Sequence, residues 1–151
     1  MKLEDAIQQW TFINEYQKAH LNILLTASTL NQRTTSLLKP YGLTWQQFNI
    51  LRILRGQYPK PATVKLLTER MIDKMSNASR LVDKLVDKGL VKRTPCTDDR
   101  RRVDVAITDK GLVLLAEVSE RLESGLNFEQ GHLSEAEAIQ LNELLDRFRG
   151  D

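Results

Sequence analysis

The chain has 151 residues, of which 41% are apolar and 28% are charged. This length predicts one domain around one hydrophobic core, and the composition excludes a disordered or collagen-like chain. The single cysteine, Cys96, excludes an intrachain disulfide framework and a zinc site built on several cysteines. An acidic N-terminus without a signal-peptide pattern, and no apolar run of about 20 residues, predict a cytoplasmic protein without membrane contact.

The net charge of +2 conceals an uneven distribution along the chain. Residues 1–59 carry 6 basic and 3 acidic side chains, residues 60–110 carry 13 and 8, and residues 111–151 carry 3 and 9. The middle segment therefore has a charge of +5 and the C-terminal segment a charge of −6. This split predicts that the middle segment meets a polyanion, although an uneven surface without a partner would give the same numbers.

The first predicted element extends from Leu3 to Leu38, a stretch without proline or glycine. It is either one long helix or two helices in tandem, because several apolar residues recur on one helical face. These residues are Ile23, Ala27, Leu30 and Leu37. Pro40 and Gly42 end the helical pattern.

The next predicted helix starts with a capping box formed by Thr44 and Gln47, and covers Trp45 to about Arg55. Its apolar residues surround most of the circumference, which is typical of a buried helix. A short helix over Thr63–Arg70 follows a proline-containing turn, and a longer helix then ends at Gly89, where a C-cap is expected. Two helices with a short connection predict a helix-turn-helix.

Two strands are predicted next, because the apolar period changes from 3.6 to 2 over Leu90–Thr94 and Val103–Thr108. The two strands form a hairpin, which is called the wing below, and the polar residues between them form its tip. The predicted fold is mainly α with this small β-hairpin wing, a winged helix-turn-helix.

The C-terminal part is predicted to be helical. Thr108 and Asp109 cap a helix over residues 112–122, and a break at residues 125–131 ends it. Ser134 and Glu137 then form a second capping box that opens a last amphipathic helix.

The second helix of the pair, called the recognition helix, and the wing together suit duplex DNA, since a helix fits the major groove while a hairpin reaches the neighbouring backbone or minor groove. Polar and basic residues near the start and along one face of this helix are candidate base and phosphate contacts: Ser76, Asn77, Ser79, Arg80 and Lys84. Asp83 and Asp87 oppose this interpretation, and a solvated helix face is the alternative.

The wing tip adds four candidate DNA-contacting residues, Asp99, Arg100, Arg101 and Arg102. An arginine inserted into a narrow minor groove benefits from the negative potential there. At least one of the three arginines should project from the tip while another folds back. Asp99 is expected to orient Arg101 through a bidentate ion pair. A charged loop without a partner is the alternative.

The sequence from about residue 61 to residue 111 resembles the MarR family of bacterial transcriptional regulators. Four ordered runs carry the resemblance: Met75–Leu85, Lys88–Arg93, Asp98–Arg102 and Ile107–Gly111. The order of the predicted helices extends it over nearly the whole chain. The family's Asp-x-Arg wing motif falls on Asp99 and Arg101.

The resemblance implies a homodimer that binds a pseudo-palindromic operator on double-stranded DNA, usually as a repressor. Residues 1–151 would form a single domain, with dimerisation helices at 1–38 and 112–151 and a DNA-binding lobe at about 43–111. Members of the family often release DNA when a small phenolic or other aromatic effector binds between these parts. Candidate lining residues are Trp10, Tyr16, Trp45 and Phe48, which serve equally well as core.

The alternatives to DNA binding are an enzyme, a redox sensor and a protein-docking module. Enzymatic activity is not expected, because His20, Cys96 and His132 lie on different predicted elements and the glycines do not cluster into a phosphate loop. No metal or other cofactor is expected either. Thiol-sensing relatives carry their cysteine in the first helix, so the wing position of Cys96 argues against redox sensing. A winged helix that contacts only proteins remains an alternative.

Overall fold

The computed structural model describes residues 1–96 and 98–151, and for residues 126–130 it describes the backbone alone. The elements, in chain order, are α1 (Leu3–Ile7), α2 (Glu15–Leu38), α3 (Trp45–Gln57), β1 (Ala62–Thr63), α4 (Val64–Arg70), α5 (Ala78–Asp87), β2 (Val91–Pro95), β3 (Val103–Ile107), α6 (Asp109–Gln130) and α7 (Glu135–Arg149). Residues 1–115 form one compact unit and residues 116–151 form another.

The N-terminal segment contains two helices, so the tandem arrangement is the correct one of the two predicted alternatives. Gln8 adopts a left-handed conformation, with φ of 52°, and closes α1. Asn14 then caps α2, because its side-chain oxygen accepts a hydrogen bond from the Gln17 backbone N–H at 2.9 Å. A 3-10 turn over Lys39–Tyr41 and a left-handed Gly42 follow α2, where the sequence predicted a break.

Both predicted capping boxes are present. The Thr44 hydroxyl accepts the Gln47 backbone N–H at 3.2 Å, and the Gln47 side chain accepts the Thr44 backbone N–H at 3.2 Å. Ser134 and Glu137 make the same reciprocal bonds at the start of α7. The predicted burial of α3 is also confirmed, since apolar residues all along this helix are almost inaccessible: Phe48, Ile50, Leu51 and Leu54.

The sheet has three antiparallel strands in the order β1-β3-β2, one strand more than the predicted hairpin. In the wing, Val91 pairs with Ile107 and Pro95 pairs with Val103. The extra strand, β1, pairs Ala62 with Val105. A strand of two residues is too short to show an alternating pattern, so the sequence did not predict it.

The segment between β3 and α6 holds the C-terminal end of α5. Gly89, with φ of 72°, follows α5 in the left-handed conformation expected of a C-cap. The Thr108 hydroxyl donates to the Gly89 carbonyl at 2.7 Å and accepts the Gly111 N–H at 3.1 Å. The Lys110 ammonium donates to the Lys88 carbonyl at 3.0 Å. The start of α6 is thereby fastened to the end of α5.

The predicted break at residues 125–131 begins too early, because α6 continues through Gly125 to Gln130 and the break before α7 falls at residues 131–134. One glycine costs a helix only about 1 kcal/mol, which the rest of a long helix offsets. In α7, four large apolar residues are exposed: Ile139, Leu141, Leu144 and Phe148. Among the described residues, no helix is both long and apolar enough to cross a membrane.

Candidate nucleic-acid interface

The recognition helix is α5, and it begins two residues later than its first candidate contact. Asn77 is the N-cap, since its side-chain oxygen accepts the Arg80 backbone N–H at 3.1 Å. Ser76 lies before the helix and is half-buried. Arg80 and Lys84 lie one turn apart within α5, and both are exposed. These four residues line one groove on the protein surface, together with Gln46 and Leu81.

Lys88 follows Lys84 by four residues, but it does not extend the face formed by Arg80 and Lys84. Its ammonium donates instead to the Gly42 carbonyl and, at 3.0 Å, to the side-chain oxygen of Gln47. Gln47 is only 3% exposed, so this bond is partly screened from water. Lys88 therefore ties the end of the recognition helix to the start of α3.

A hydrogen-bonded turn leads into the recognition helix. The Asp73 carboxylate accepts the Met75 backbone N–H at 3.0 Å. This bond, followed by bonds from the Ser76 and Gln46 side chains, lowers the pKa of Asp73. Asp73 thus remains ionised at neutral pH and fixes the residues just before the N-cap.

The side chain of Ser79 faces a partner within the protein. Arg93, on β2, donates from Nη2 to the Ser79 carbonyl at 3.2 Å and to its hydroxyl at 3.4 Å. The other terminal nitrogen of Arg93 lies 2.5 Å from the Asp83 carboxylate. Of the two acids that opposed a DNA-facing helix, Asp83 is therefore paired with an arginine of the wing, whereas Asp87 is exposed.

The wing tip contains a hydrogen-bonded turn, and all three of its arginines are exposed. The Cys96 N–H donates to the Arg102 carbonyl, and the Arg102 N–H donates to the Asp99 carbonyl, both at 3.1 Å. The side chains of Arg100 and Arg101 are exposed. The Arg102 side chain is 56% exposed, and its Nε lies 3.6 Å from a buried oxygen of Asp104. At least one arginine projects from the tip, as expected, and the arginine that comes nearest to folding back is Arg102, which remains exposed.

The predicted bidentate pair between Asp99 and Arg101 is wrong. Asp99 accepts a hydrogen bond from the backbone N–H of Arg101 at 2.9 Å instead. Asp99 and Arg101 are two positions apart in one turn, and an aspartate at such a position bonds most readily to the backbone N–H two residues later. Asp99 therefore shapes the turn and leaves the Arg101 guanidinium free of this carboxylate.

Comparisons with known proteins agree on one family. A model of the MarR family matches residues 43–103. The transcriptional regulator PecS of Dickeya dadantii is 28% identical, over 97% of this chain and 92% of PecS. The regulator MgrA of Staphylococcus aureus is 30% identical, over 76% of this chain and 75% of MgrA. A solved MarR transcription factor from Planctomyces limnophilus is 32% identical with a TM-score of 0.68, over 90% of this chain and 98% of that chain.

The chain belongs to the MarR family. Proteins of the MarR family are DNA-binding transcription regulators, so this chain is a transcription regulator and not an enzyme. The winged-helix fold that the sequence predicted is the fold of its MarR neighbours. In the described part of the chain, no cluster of His, Cys, Asp and Glu side chains could hold a metal ion.

This MarR-family protein also has a cavity of about 710 Å³. Residues of α2, the start of α3 and the turn before α5 line it: Ala27, Asn31, Thr35, Lys39, Gly42, Leu43, Thr44, Trp45, Gln46, Ile72 and Asp73. Of the four aromatic candidates, Trp45 is in the lining, Phe48 is in the core, and Trp10 and Tyr16 are exposed. Gln46 lines both this cavity and the groove on the recognition helix.

The sequence did not identify Gln46, Arg93 or Lys110 as important. In the structure, each of them bonds or lines a part of the candidate DNA-binding surface or the residues that hold it in place. A signal existed for Arg93. Strand residues two apart share a face, so Arg93 must lie on the same side as the buried Val91. A charged residue on an inward face needs a partner, and Asp83 on the preceding helix was an acid without an evident role. Gln46 and Lys110 gave no such signal, because their partners are brought together only by the fold.

Proposed function

We propose that this MarR-family regulator is a cytoplasmic, ligand-responsive repressor that binds a pseudo-palindromic operator as a homodimer. Residues 1–38 and 112–151 would build the dimer, and residues 43–111 would form the DNA-binding lobe. The recognition helix α5 would enter the major groove, and the wing would enter the minor groove.

One observation carries this proposal, namely the chemistry of the exposed side chains on α5 and at the wing tip. Arg80 and Lys84 line the groove on α5, and Arg100 and Arg101 are exposed on the wing. Two nearby acids, Asp83 and Asp104, are each paired with an arginine of the wing, whereas Asp87 is exposed near the end of α5. The cations that remain without an acidic partner among the described side chains suit phosphates and base edges.

We expect separate roles for the residues of the groove. Arg80 has the length and the planar donors to bond guanine or a phosphate, whereas Lys84, one turn further into the helix, is better suited to a phosphate. Ser76 and Asn77 lie at the start of α5, the part of a recognition helix that meets base edges. Ser79 is expected to contribute through its contact with Arg93. Asp99 is expected to shape the turn of the wing through its bond to the Arg101 backbone, and Arg102 to pair with Asp104.

The salt dependence of binding tests the phosphate contact of Lys84. We expect Lys84→Ala to reduce the slope of log affinity against log salt by about 0.9 per phosphate, and thus by about two units per dimer. Fluorescence anisotropy with an operator duplex at several salt concentrations measures this slope. Arg147→Ala, which removes a cation from α7, is the control and should leave the slope unchanged. Equal slopes for the wild type and Lys84→Ala would contradict the phosphate contact.

Unpartnered apolar surface at both ends of the chain supports the homodimer. Trp10, Ile13 and Tyr16 are 69%, 83% and 81% exposed before and at the start of α2. In the other unit, α7 exposes the four apolar residues described above. Exposed apolar patches of this kind usually mark an interface.

A charge placed on the apolar face of α7 tests the dimer. We expect Leu144→Lys to weaken dimerisation by about 100-fold or more, because burying one leucine contributes about 1.5–3 kcal/mol and the dimer contains two. Sedimentation velocity over a range of protein concentrations measures the effect. Asn142→Lys adds the same charge to the same helix at an exposed polar residue, and should leave the dimer intact. Equal dimer affinities for the two variants would remove α7 from the interface.

The cavity supports the proposed response to a ligand. Its volume lies in the range of small-molecule sites, about 300–1,000 Å³, and Trp45 offers an aromatic face. Lys39 supplies a cation, and Asn31, Thr35 and Gln46 supply hydrogen-bonding groups. This lining suits a small aromatic or phenolic effector that carries an acidic or polar substituent.

Selection of bound fragments from the source genome, followed by a reporter assay, tests the proposed function. The regulator should enrich a duplex with two related half-sites, and deletion of the regulator should raise transcription from the neighbouring promoter. A fall in transcription would instead identify an activator. If no duplex binds in a salt-dependent manner, the chain acts through protein contacts and the proposed DNA site is wrong.

A further inference from the structure

Arg93 connects the two elements that would meet DNA. It lies on β2 of the wing, and its guanidinium contacts two residues of the recognition helix: Asp83 at 2.5 Å and Ser79 at 3.2 and 3.4 Å. Its side chain is 35% exposed, which is low for an arginine on a small wing. One planar group thus holds α5 at two points one helical turn apart.

These contacts occupy N–H donors of Arg93 with acceptors of the protein itself. The Ser79 carbonyl and hydroxyl take Nη2, and the Asp83 carboxylate takes Nη1. A guanidinium has five N–H donors in a fixed plane, so this arrangement fixes the direction of the side chain. Arg93 is therefore placed to orient other residues, whereas Arg100 and Arg101 are placed to reach a partner.

We propose that Arg93 is a positioning residue for operator recognition, which holds the wing and the recognition helix in one fixed relative orientation. The inference rests on the function proposed above. Helix and wing must engage neighbouring grooves of the same duplex, and any freedom between them must be lost on binding. A rigid connection in the free protein reduces the entropy that is lost when the protein binds the operator. It brings little advantage on an unrelated duplex, where phosphate attraction dominates.

The test compares Arg93→Ala with Lys92→Ala. Lys92 is the preceding residue of β2, lies on the opposite face of the strand and is exposed, so both variants lose one positive charge from the same place. Affinity is measured for the operator duplex and for an unrelated duplex of equal length. We expect Arg93→Ala to lose about tenfold more operator affinity than Lys92→Ala, with similar affinities of both variants for the unrelated duplex.

Thermal unfolding and sedimentation of both variants show whether the fold and the dimer are kept. If Arg93→Ala does not fold, Arg93→Gln replaces it, since glutamine keeps a planar donor and removes the charge. A loss of the same factor on both duplexes, or equal losses for Arg93→Ala and Lys92→Ala, would overturn the positioning role. Failure of the wild type to bind any duplex would instead overturn the proposed function itself.

A second variant separates positioning from simple charge neutralisation. Without Arg93, the Asp83 carboxylate would stand unpaired near the phosphates and repel them. If that repulsion were the whole effect, Asp83→Asn in the Arg93→Ala background would restore operator affinity to the level of Lys92→Ala. A positioning role depends on the bonds from Arg93 to Ser79 and Asp83, and the double variant lacks these bonds. We therefore expect the double variant to remain several-fold weaker than Lys92→Ala, and full restoration would contradict the inference.

Discussion

Arg101→Ala is expected to lower operator affinity by about 100-fold while leaving the fold and the dimer unchanged. A lost DNA contact of this type costs about 1–3 kcal/mol, and a homodimer loses it twice. The guanidinium is exposed at the wing tip, and Asp99 bonds to the backbone of Arg101 instead of its side chain. Fluorescence anisotropy on the operator measures the affinity, and sedimentation measures the dimer.

Arg102→Ala is the matched control for this prediction. It removes the same charged group from the next residue, but this guanidinium lies beside a carboxylate, with Nε 3.6 Å from Asp104. We expect a loss of affinity at least tenfold smaller than for Arg101→Ala. Similar losses for the two variants would mean that the wing contributes only its net charge, and insertion of Arg101 into the minor groove would then be wrong.

Gly111→Ala is expected to destabilise the protein by about 3 kcal/mol, the upper part of the usual range for overpacking. A Cβ atom at this position would lie 2.2 Å from the Leu90 carbonyl oxygen and 2.7 Å from Cγ1 of Ile107. The Leu90 carbonyl oxygen also accepts a hydrogen bond from the Thr108 N–H. It therefore cannot move away from the added Cβ without disturbing the segment that follows the recognition helix. Calorimetry should show a melting temperature lowered by roughly 10 °C.

Gly56→Ala provides the comparison, because an added Cβ there meets no atom within 4 Å. Gly56 lies in the last turn of α3, where alanine is the better helix former. We expect this variant to be more stable than the wild type by about 0.5–1 kcal/mol. If Gly111→Ala proved equally harmless, the close approach of α6 to Leu90 would be refuted.

The capping residues show how far local chemistry determines this fold. Thr44, Gln47, Ser134 and Glu137 define two helix starts through bonds that span only three residues. Gly89 marks the end of the recognition helix for the same reason, since its left-handed backbone is a local property. Elements with such signals were predicted to within a few residues, because their boundaries depend on neighbours in the sequence.

The side-chain roles in the candidate site could be predicted less completely. In the sequence, Arg93 and Lys88 are cations of the same two residue types as Arg80 and Lys84. In the structure, Arg93 and Lys88 bond within the protein, whereas Arg80 and Lys84 line an open groove. Their partners Asp83, Ser79, Gly42 and Gln47 lie 10 to 46 positions away. Which cation is free for DNA is decided by tertiary contacts, and these are not encoded in the spacing along one helix.

Gln46 gives the cavity and the groove a common wall, and through this wall the two proposed functions would be coupled. Its side chain bonds Asp73, which in turn holds Met75 and Ser76 ahead of the recognition helix. We expect a ligand that alters this arrangement to change the affinity for the operator. By linkage, the operator must then change the affinity for the ligand by the same factor. The promoter that such a regulator controls would thus also set the effector concentration to which the bound protein responds.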